Sequence, residues 1–228
     1  MKTRTLLSYG TKVGCRRSFS SSVVAKGVPV IDVSELLGRD SSLRSDMQVC
    51  QQIIKACSTW GFFQCVNAPI NQDLQKKFYE QKERFFGLPT KTKEKIRRTA
   101  SNSKGWYDDE LTKQKRDWKQ GYDVGAQNGD LDECGLDGMN QWPQDMGDFE
   151  STVREYFAAC ERFARSLTCA MTVGLGLEPE SLVRTHFDNA HSSYLRMNYY
   201  PKCPDPESHM AISTCFLSCI FFIAHTHT

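Results

Sequence analysis

Polar side chains recur at every second position of the segment YLRMNYYP, where Arg196, Asn198 and Tyr200 alternate with apolar or aromatic residues. Successive side chains of a β-strand point to opposite faces, so this spacing places all three on one face. A face of this kind is suited to line a polar cavity. The alternative is that tyrosine stands here as a β-favouring, half-buried aromatic residue.

Two histidines are the other candidates for chemistry. His225 and His227 are two positions apart, and a strand would place both imidazoles on one face. Two imidazoles alone bind a divalent metal weakly, and a carboxylate would have to come from elsewhere in the chain. The neighbouring Thr226 and Thr228 are poor substitutes, because neutral hydroxyls are weak ligands for such a metal.

Composition narrows the class of protein. The chain has 228 residues, of which 39% are hydrophobic and 25% charged, which is enough to build a globular core. A net charge of +2 gives no indication of nucleic-acid binding. None of the ten cysteines forms a C-x-x-C pair, so we expect buried thiols in a reducing compartment.

The first 26 residues differ from the rest. Residues 1–26 contain six lysines or arginines, many serines and threonines, and no acidic residue. This composition is typical of a mitochondrial presequence, and RRSFSS resembles a processing site. We therefore expect a mitochondrial location. The alternative is a disordered basic arm without targeting function on a cytoplasmic protein.

Hydrophobic periodicity predicts the elements that would position these residues. VPVIDV is predicted to be a short strand, followed by an amphipathic helix that Gly61 ends and a strand over FFQCVNAPI. Asn71 is a favourable N-cap for the next helix. The stretch 101–147 is predicted to be irregular, with short strands around Trp118 and Tyr122. A long helix is predicted from Asp148 onward, ahead of the strand in YLRMNYYP.

No segment is predicted to span a membrane. The longest apolar run, Cys215 to Ala224, is about half of the roughly 20 residues that a transmembrane helix needs. The same run carries no charge and no proline, which is the composition of an aggregation-prone segment. We therefore expect the isolated chain to be poorly soluble.

Taken in order, WGFFQCVNAPI, FFGLPTKTKEKI, DWKQGYDVG and LRMNYYPKCPDP form a specific pattern. It resembles the N-terminal half of the iron(II)/2-oxoglutarate-dependent dioxygenases, in the branch that includes isopenicillin N synthase. The resemblance implies an α+β fold, in which a helical N-terminal region packs on an incomplete double-stranded β-helix (jelly roll). It also implies iron(II), 2-oxoglutarate and a small-molecule substrate, with no nucleic-acid partner.

By the same resemblance, Asn198 and Tyr200 would line the 2-oxoglutarate pocket, and Arg196 would join them. Trp118 and Tyr122 would lie near the substrate entrance, unless they only pack in the core. The implied organisation is a presequence or arm at 1–26, the dioxygenase N-terminal region at 27–147, and the long helix with the start of the jelly roll at 148–213. An aberrant apolar tail follows at 214–228. The resemblance does not indicate an oligomeric state.

The iron ligands that the resemblance implies would follow Ser213 as His-x-Asp, then a second histidine, then Arg-x-Ser for the co-substrate. The sequence has TCFLSCIFFIAHTHT there instead. We therefore expect neither catalytic residues nor a metal site in this chain, and the main hypothesis is that iron and 2-oxoglutarate binding are lost. The alternatives are a non-catalytic interaction module, or an active enzyme with a metal site rebuilt from His225 and His227.

Overall fold

The structure is a computed structural model, and it describes residues 27–37, 47–112, 115–126, 138–187 and 193–202. The fold is α+β, as predicted. The strands are β1 (Val30–Asp32), β2 (Gln64–Val66), β3 (Gly105–Tyr107), β4 (Leu111–Thr112), β5 (Lys115–Arg116), β6 (Gln120–Gly125) and β7 (Tyr194–Tyr199). The helices are α1 (Met47–Thr59), α2 (Gln72–Phe86), α3 (Thr90–Lys93), α4 (Phe149–Gly174) and α5 (Ser181–His186), with short 3-10 turns at Ser34–Leu37 and Glu94–Ile96.

The first layer joins β1, β2 and α1 to the long helix α4. Strands β1 and β2 pair in parallel, and Ile31 is buried in a core that α1 supplies with Cys50 and Ile53 and α4 with Phe163. Gly61 ends the turn after α1, as predicted: its φ is 83°, a left-handed conformation that favours glycine. Its N–H donates to the carbonyl of Ala56 at 3.2 Å.

Helix α2 begins where its cap predicts. The Asn71 side chain accepts hydrogen bonds from the backbone N–H groups of Asp73 and Leu74, at 2.8 and 3.2 Å. Its apolar stripe packs on α4, where the ring of Phe78 stacks on Tyr156 with centroids 3.9 Å apart. This contact joins α2 to the second core, which also includes Phe85, Phe149 and Trp106.

Three antiparallel strands in the order β3-β6-β7 form the sheet that carries Arg196 and Asn198. Trp106, Tyr122 and Met197 lie side by side across it and are all buried in the second core. Side chains alternate along each strand, so the remaining positions point to the opposite side of the sheet. We call that side the polar face.

The sequence patterns located these strands imprecisely. FFQCVNAPI contributes only the three residues of β2, and β3 was missed because GWY lies within a stretch predicted to be irregular. Three buried residues without polar–apolar alternation carry no strand signal of their own. Strand β3 exists because β6 pairs with it, in the register Trp106 opposite Tyr122.

The described ranges bear on the expectations about membrane spans and cysteines. In those ranges no helix combines the length and the apolar character that crossing a bilayer requires. Burial raises the pKa of the Cys65 and Cys160 thiols to about 11 each. Of the five cysteines in the described ranges, Cys50 is buried and the other four are half-buried, so the expectation of buried thiols is met in part. Residues 1–26 and 214–228 lie outside the described residues, so the presequence predicted at 1–26 and the apolar tail predicted at 214–228, with His225 and His227, stay predictions.

Candidate functional site

The polar face is organised as rows of residues that the strand register places side by side. One row contains Gly105, Asp123 and Arg196, in that order across the three strands. The next row contains Tyr107, Gly121 and Asn198. Arg196 and Asn198 therefore share one face, as alternation predicted.

Arg196 forms a paired interaction across the strands. Its Nε donates to Oδ1 of Asp123 at 2.9 Å, and its Nη2 donates to Oδ2 at 2.7 Å. Asp123 is only 4% exposed. A buried carboxylate needs a compensating partner, and the planar guanidinium matches both of its oxygens. Alternation predicted that Arg196 lies on a polar face, and the family resemblance implied that it contacts 2-oxoglutarate. The structure adds the ion pair with Asp123.

Further charges surround the pair and balance it. Glu110 lies 2.9 Å from Nζ of Lys119, 3.4 Å from Arg98 and 3.8 Å from Arg196. Burial raises the pKa of the Glu110 carboxyl, but the hydrogen bond and charge of Lys119 and the two guanidiniums outweigh it. The net effect holds the pKa below its ordinary value of 4.5. Glu110 is therefore a carboxylate at neutral pH.

Tyr107 occupies the space that Gly121 leaves open. A Cβ on Gly121 would overlap the far end of the Tyr107 ring, including its hydroxyl. Tyr107 is fully buried, and its ring centre lies 3.5 Å from the guanidinium carbon of Arg98. Burial also raises the pKa of its hydroxyl, which therefore stays protonated.

Two polar atoms on this row have no hydrogen-bond partner in the described part of the chain. They are the hydroxyl of Tyr107 and Oδ1 of Asn198, and both are buried. Buried polar groups are nearly always paired in native proteins, because desolvation without a partner is unfavourable.

The other aromatic candidates fall in different places. Tyr200 follows the end of β7 and is 48% exposed. Tyr122 is buried on the opposite face, where its hydroxyl donates to the carbonyl of Gln141. This position agrees with the alternative that Tyr122 packs in the core and does not line the substrate entrance. Trp118 donates through Nε1 to the carbonyl of Lys202 at 3.2 Å.

The described residues do not assemble a metal centre. Across the five described ranges, no group of three histidine, cysteine, aspartate or glutamate side chains could hold a metal ion. These residues therefore do not fit iron(II), and we derive no chemical step through it. His225 and His227 lie outside the described residues, so the hypothesis of a rebuilt site stays a prediction.

Sequence reasoning missed three residues of this face: Tyr107, Gly121 and Asp123. The sequence QGYDVG places Gly121 and Asp123 at alternate positions, which is the same signal that identified Arg196 and Asn198. For Tyr107 no comparable signal exists, because its position depends on the pairing of β3 with β6.

Most of the described strands lie in a region that matches a known protein family. Residues 28–145, just over half of the chain, match the family described as non-haem dioxygenase in morphine synthesis, N-terminal. The chain belongs to the iron(II)/2-oxoglutarate-dependent dioxygenases. The matched region of this dioxygenase chain includes β1 to β6, so it includes Tyr107, Gly121 and Asp123.

Characterised relatives agree with this assignment. The dioxygenase chain is 30% identical to oxoglutarate-dependent flavonoid 7-O-demethylase 1 of Ocimum basilicum, over 79% of this chain and 46% of the relative. It is 28% identical to jasmonate-induced oxygenase 2 of Arabidopsis thaliana, over 83% of this chain and 50% of the relative. The chain thus spans about half the length of the curated relatives that it matches.

Solved structures show the same fold. A full-length Neurospora crassa protein, crystallised in complex with alpha-KG, superposes with a TM-score of 0.62 at 25% identity, over 76% of this chain and 54% of that one. The same Neurospora crassa protein has been crystallised with alpha-KG and thymine. A 2OG-Fe(II) oxygenase family protein of Caulobacter crescentus reaches a TM-score of 0.65 at 17% identity, over 80% of this chain and 59% of that one, which supports the fold alone.

Proposed function

We propose that this dioxygenase chain forms the helical N-terminal region and one cavity wall of an enzyme that oxidises a small organic molecule with iron(II) and 2-oxoglutarate. The proposal rests on Oδ1 of Asn198, which is buried on the polar face of the sheet and has no hydrogen-bond partner in the described part of the chain. A polar group in that state fits the wall of a ligand cavity better than a packed core.

Asn198 and Tyr200 are the proposed contacts with 2-oxoglutarate. The side-chain Nδ2 of Asn198 is a donor, which suits a carboxylate. Tyr200 carries a hydroxyl at an exposed position immediately beyond β7. Tyr200 is thus available to a ligand that approaches from the end of the strand, and Asn198 lies two positions earlier, within β7.

Arg196 is the proposed third contact with 2-oxoglutarate, although most of its hydrogen-bonding capacity is already used within the protein. Asp123 engages its Nε and Nη2, which leaves Nη1 with Glu110 at 3.8 Å as the nearest carboxylate. A 2-oxoglutarate carboxylate would therefore meet a guanidinium whose charge is already largely compensated. We infer that the Arg196 side chain shapes the cavity wall and adds little net electrostatic attraction for an anionic ligand.

We further propose that the 228 residues alone do not catalyse the oxidation of a substrate. Residues 214–228 have TCFLSCIFFIAHTHT where the family resemblance implies His-x-Asp. The described residues also offer no alternative three-ligand group. The reaction class therefore describes the family, and this chain supplies part of its architecture.

The test measures co-substrate binding and turnover separately. The 228-residue chain and its Asn198→Ala variant are titrated with 2-oxoglutarate by calorimetry, and succinate release is measured with added iron(II) and O2. The sequence led to the hypothesis that 2-oxoglutarate binding is lost, but because Asn198 and Tyr200 are both present we now expect residual binding to the unmodified chain and no succinate. Binding to the variant should be at least about tenfold weaker, since one hydrogen bond to a charged group is worth ~1.5–3 kcal/mol.

Two outcomes would contradict the proposal. Equal affinity of the chain and Asn198→Ala for 2-oxoglutarate would remove Asn198 from the site. Succinate release in proportion to bound iron would show that the 228 residues form a complete metal centre. A Tyr194→Phe variant serves as the control, because Tyr194 lies on the same strand and is 40% exposed.

A further inference from the structure

The row Tyr107, Gly121, Asn198 has a geometry that alternation alone does not produce. Tyr107 stands on β3, directly opposite Gly121 on β6, which is in turn directly opposite Asn198 on β7. The far end of the Tyr107 ring lies over Gly121. Neighbouring strands are about 4.8 Å apart, so the ring extends across the middle strand, toward the strand that carries Asn198.

Two polar atoms of this row have no hydrogen-bond partner among the described residues. The Tyr107 hydroxyl and Asn198 Oδ1 are buried, and neither bonds to the other or to another described group. A neutral tyrosine hydroxyl donates one hydrogen bond and accepts others, whereas a carboxamide oxygen only accepts. A single ligand group that accepts from Tyr107 and donates to Asn198 would satisfy both atoms. Because both atoms are inaccessible to solvent in this structure, one of the two side chains would have to turn to admit that group.

The charges around the row indicate that the ligand group is neutral. Two guanidiniums, those of Arg98 and Arg196, lie 3.5 and 5.5 Å from the Tyr107 ring centre. Two carboxylates, those of Asp123 and Glu110, are paired with them. An anionic group gains little beside compensated cations, and a cationic group gains little beside compensated carboxylates.

We propose that Tyr107 and the Oδ1 of Asn198 together bind one neutral group of the organic substrate that both accepts and donates a hydrogen bond, such as a hydroxyl or the edge of a lactam. Tyr107 is thereby a specificity-determining residue, and Gly121 provides the space that it needs. This inference rests on the proposed function for the location of the cavity. It assigns Oδ1 of Asn198 to the substrate and leaves Nδ2 to the co-substrate.

The experiment uses two matched small probes. 2-Pyridone presents an acceptor and a donor on neighbouring atoms, whereas N-methyl-2-pyridone keeps the acceptor and lacks the donor. Dissociation constants of both are measured by ligand-observed NMR for the 228-residue chain, for Tyr107→Phe and for the control Tyr194→Phe. The affinity for 2-oxoglutarate is measured on the same samples.

We expect the unmodified chain and Tyr194→Phe to bind 2-pyridone about tenfold more tightly than N-methyl-2-pyridone, as the loss of one hydrogen bond predicts. In Tyr107→Phe the affinity for 2-pyridone should fall about tenfold. Its melting temperature should not fall, because the removed hydroxyl has no hydrogen-bond partner among the described residues. A lower melting temperature would show that the hydroxyl is already satisfied, and would overturn the inference.

The remaining outcomes separate this inference from the proposed function. Equal binding of the two probes, with 2-oxoglutarate bound normally, overturns the inference and leaves the proposed function standing. Discrimination between the probes without 2-oxoglutarate binding supports the inference and contradicts the proposed function. If Tyr107→Phe does not fold, Asn198→Ala replaces it, and retention of the tenfold discrimination in that variant overturns the inference.

Discussion

Arg196 and Asp123 are 73 positions apart in sequence, yet they form two parallel hydrogen bonds of 2.7 and 2.9 Å across β6 and β7. The pair fixes the position of the guanidinium on the polar face, in the row beside Tyr107 and Asn198. It also determines how much charge that face presents, because the carboxylate compensates the only cation on β7. The first prediction concerns this pair.

Replacing Asp123 with asparagine should destabilise the chain by about 2 kcal/mol. Removing one partner of a buried pair costs roughly 3–5 kcal/mol, and solvent reduces this figure here because the Arg196 side chain is 32% exposed. Urea unfolding monitored by circular dichroism measures the change. As a control, Glu150→Gln breaks the exposed pair with Arg154 and should change stability by less than ~0.5 kcal/mol. Equal losses in the two variants would contradict the prediction.

Replacing Gly121 with alanine should destabilise the chain by ~1–3 kcal/mol, because the new methyl group overlaps the Tyr107 ring and overpacks the sheet. The same substitution in a Tyr107→Ala background should cost much less, since the ring is then absent. Denaturant unfolding of the four chains completes a double-mutant cycle. Gly147→Ala is the control, because no atom of the described residues lies within 4 Å of its added methyl group. Additive losses in the cycle would show that Tyr107 is not the obstacle.

Glu110 should make stability depend on pH on the acid side. Its folded-state pKa lies below the ordinary value of 4.5, so the unfolded chain binds this proton more readily than the folded chain. Its contribution is therefore fully present above pH 4.5 and is lost as the pH falls through the folded-state pKa. Unfolding midpoints measured across this range should fall more steeply for the unmodified chain than for Glu110→Gln. Parallel curves would indicate that the network around Glu110 gives no net stabilisation of the carboxylate.

The first 26 residues should direct an attached protein to mitochondria. Fusing residues 1–26 to a fluorescent protein tests this directly, with co-localisation to a mitochondrial marker as the measurement. A matched fusion with Arg4, Arg16 and Arg17 changed to glutamine should remain in the cytoplasm, because the positive charge that drives import is reduced. Cytoplasmic fluorescence from the unmodified fusion would favour the alternative of an untargeted basic arm.

Local patterns predicted the helices well, for reasons that lie within a few residues of each element. Asn71 caps α2 through its own side chain, and Gly61 closes the turn after α1 with a positive φ. The periodicity from Phe149 onward predicted α4, which runs from Phe149 to Gly174. Each signal depends on contacts between neighbours in sequence, so the chain itself carries it without knowledge of the tertiary fold.

The family and the helices follow from residue patterns within the chain, without its tertiary structure. The shared face of Arg196 and Asn198 follows in the same way, because alternation along one strand is a local property. Only the tertiary structure placed Asp123 against Arg196 and the Tyr107 ring over Gly121. These relationships depend on the register between strands that are distant in sequence. Register is set by the whole core on the opposite face, where Trp106, Tyr122 and Met197 pack together, and no single segment contains that information.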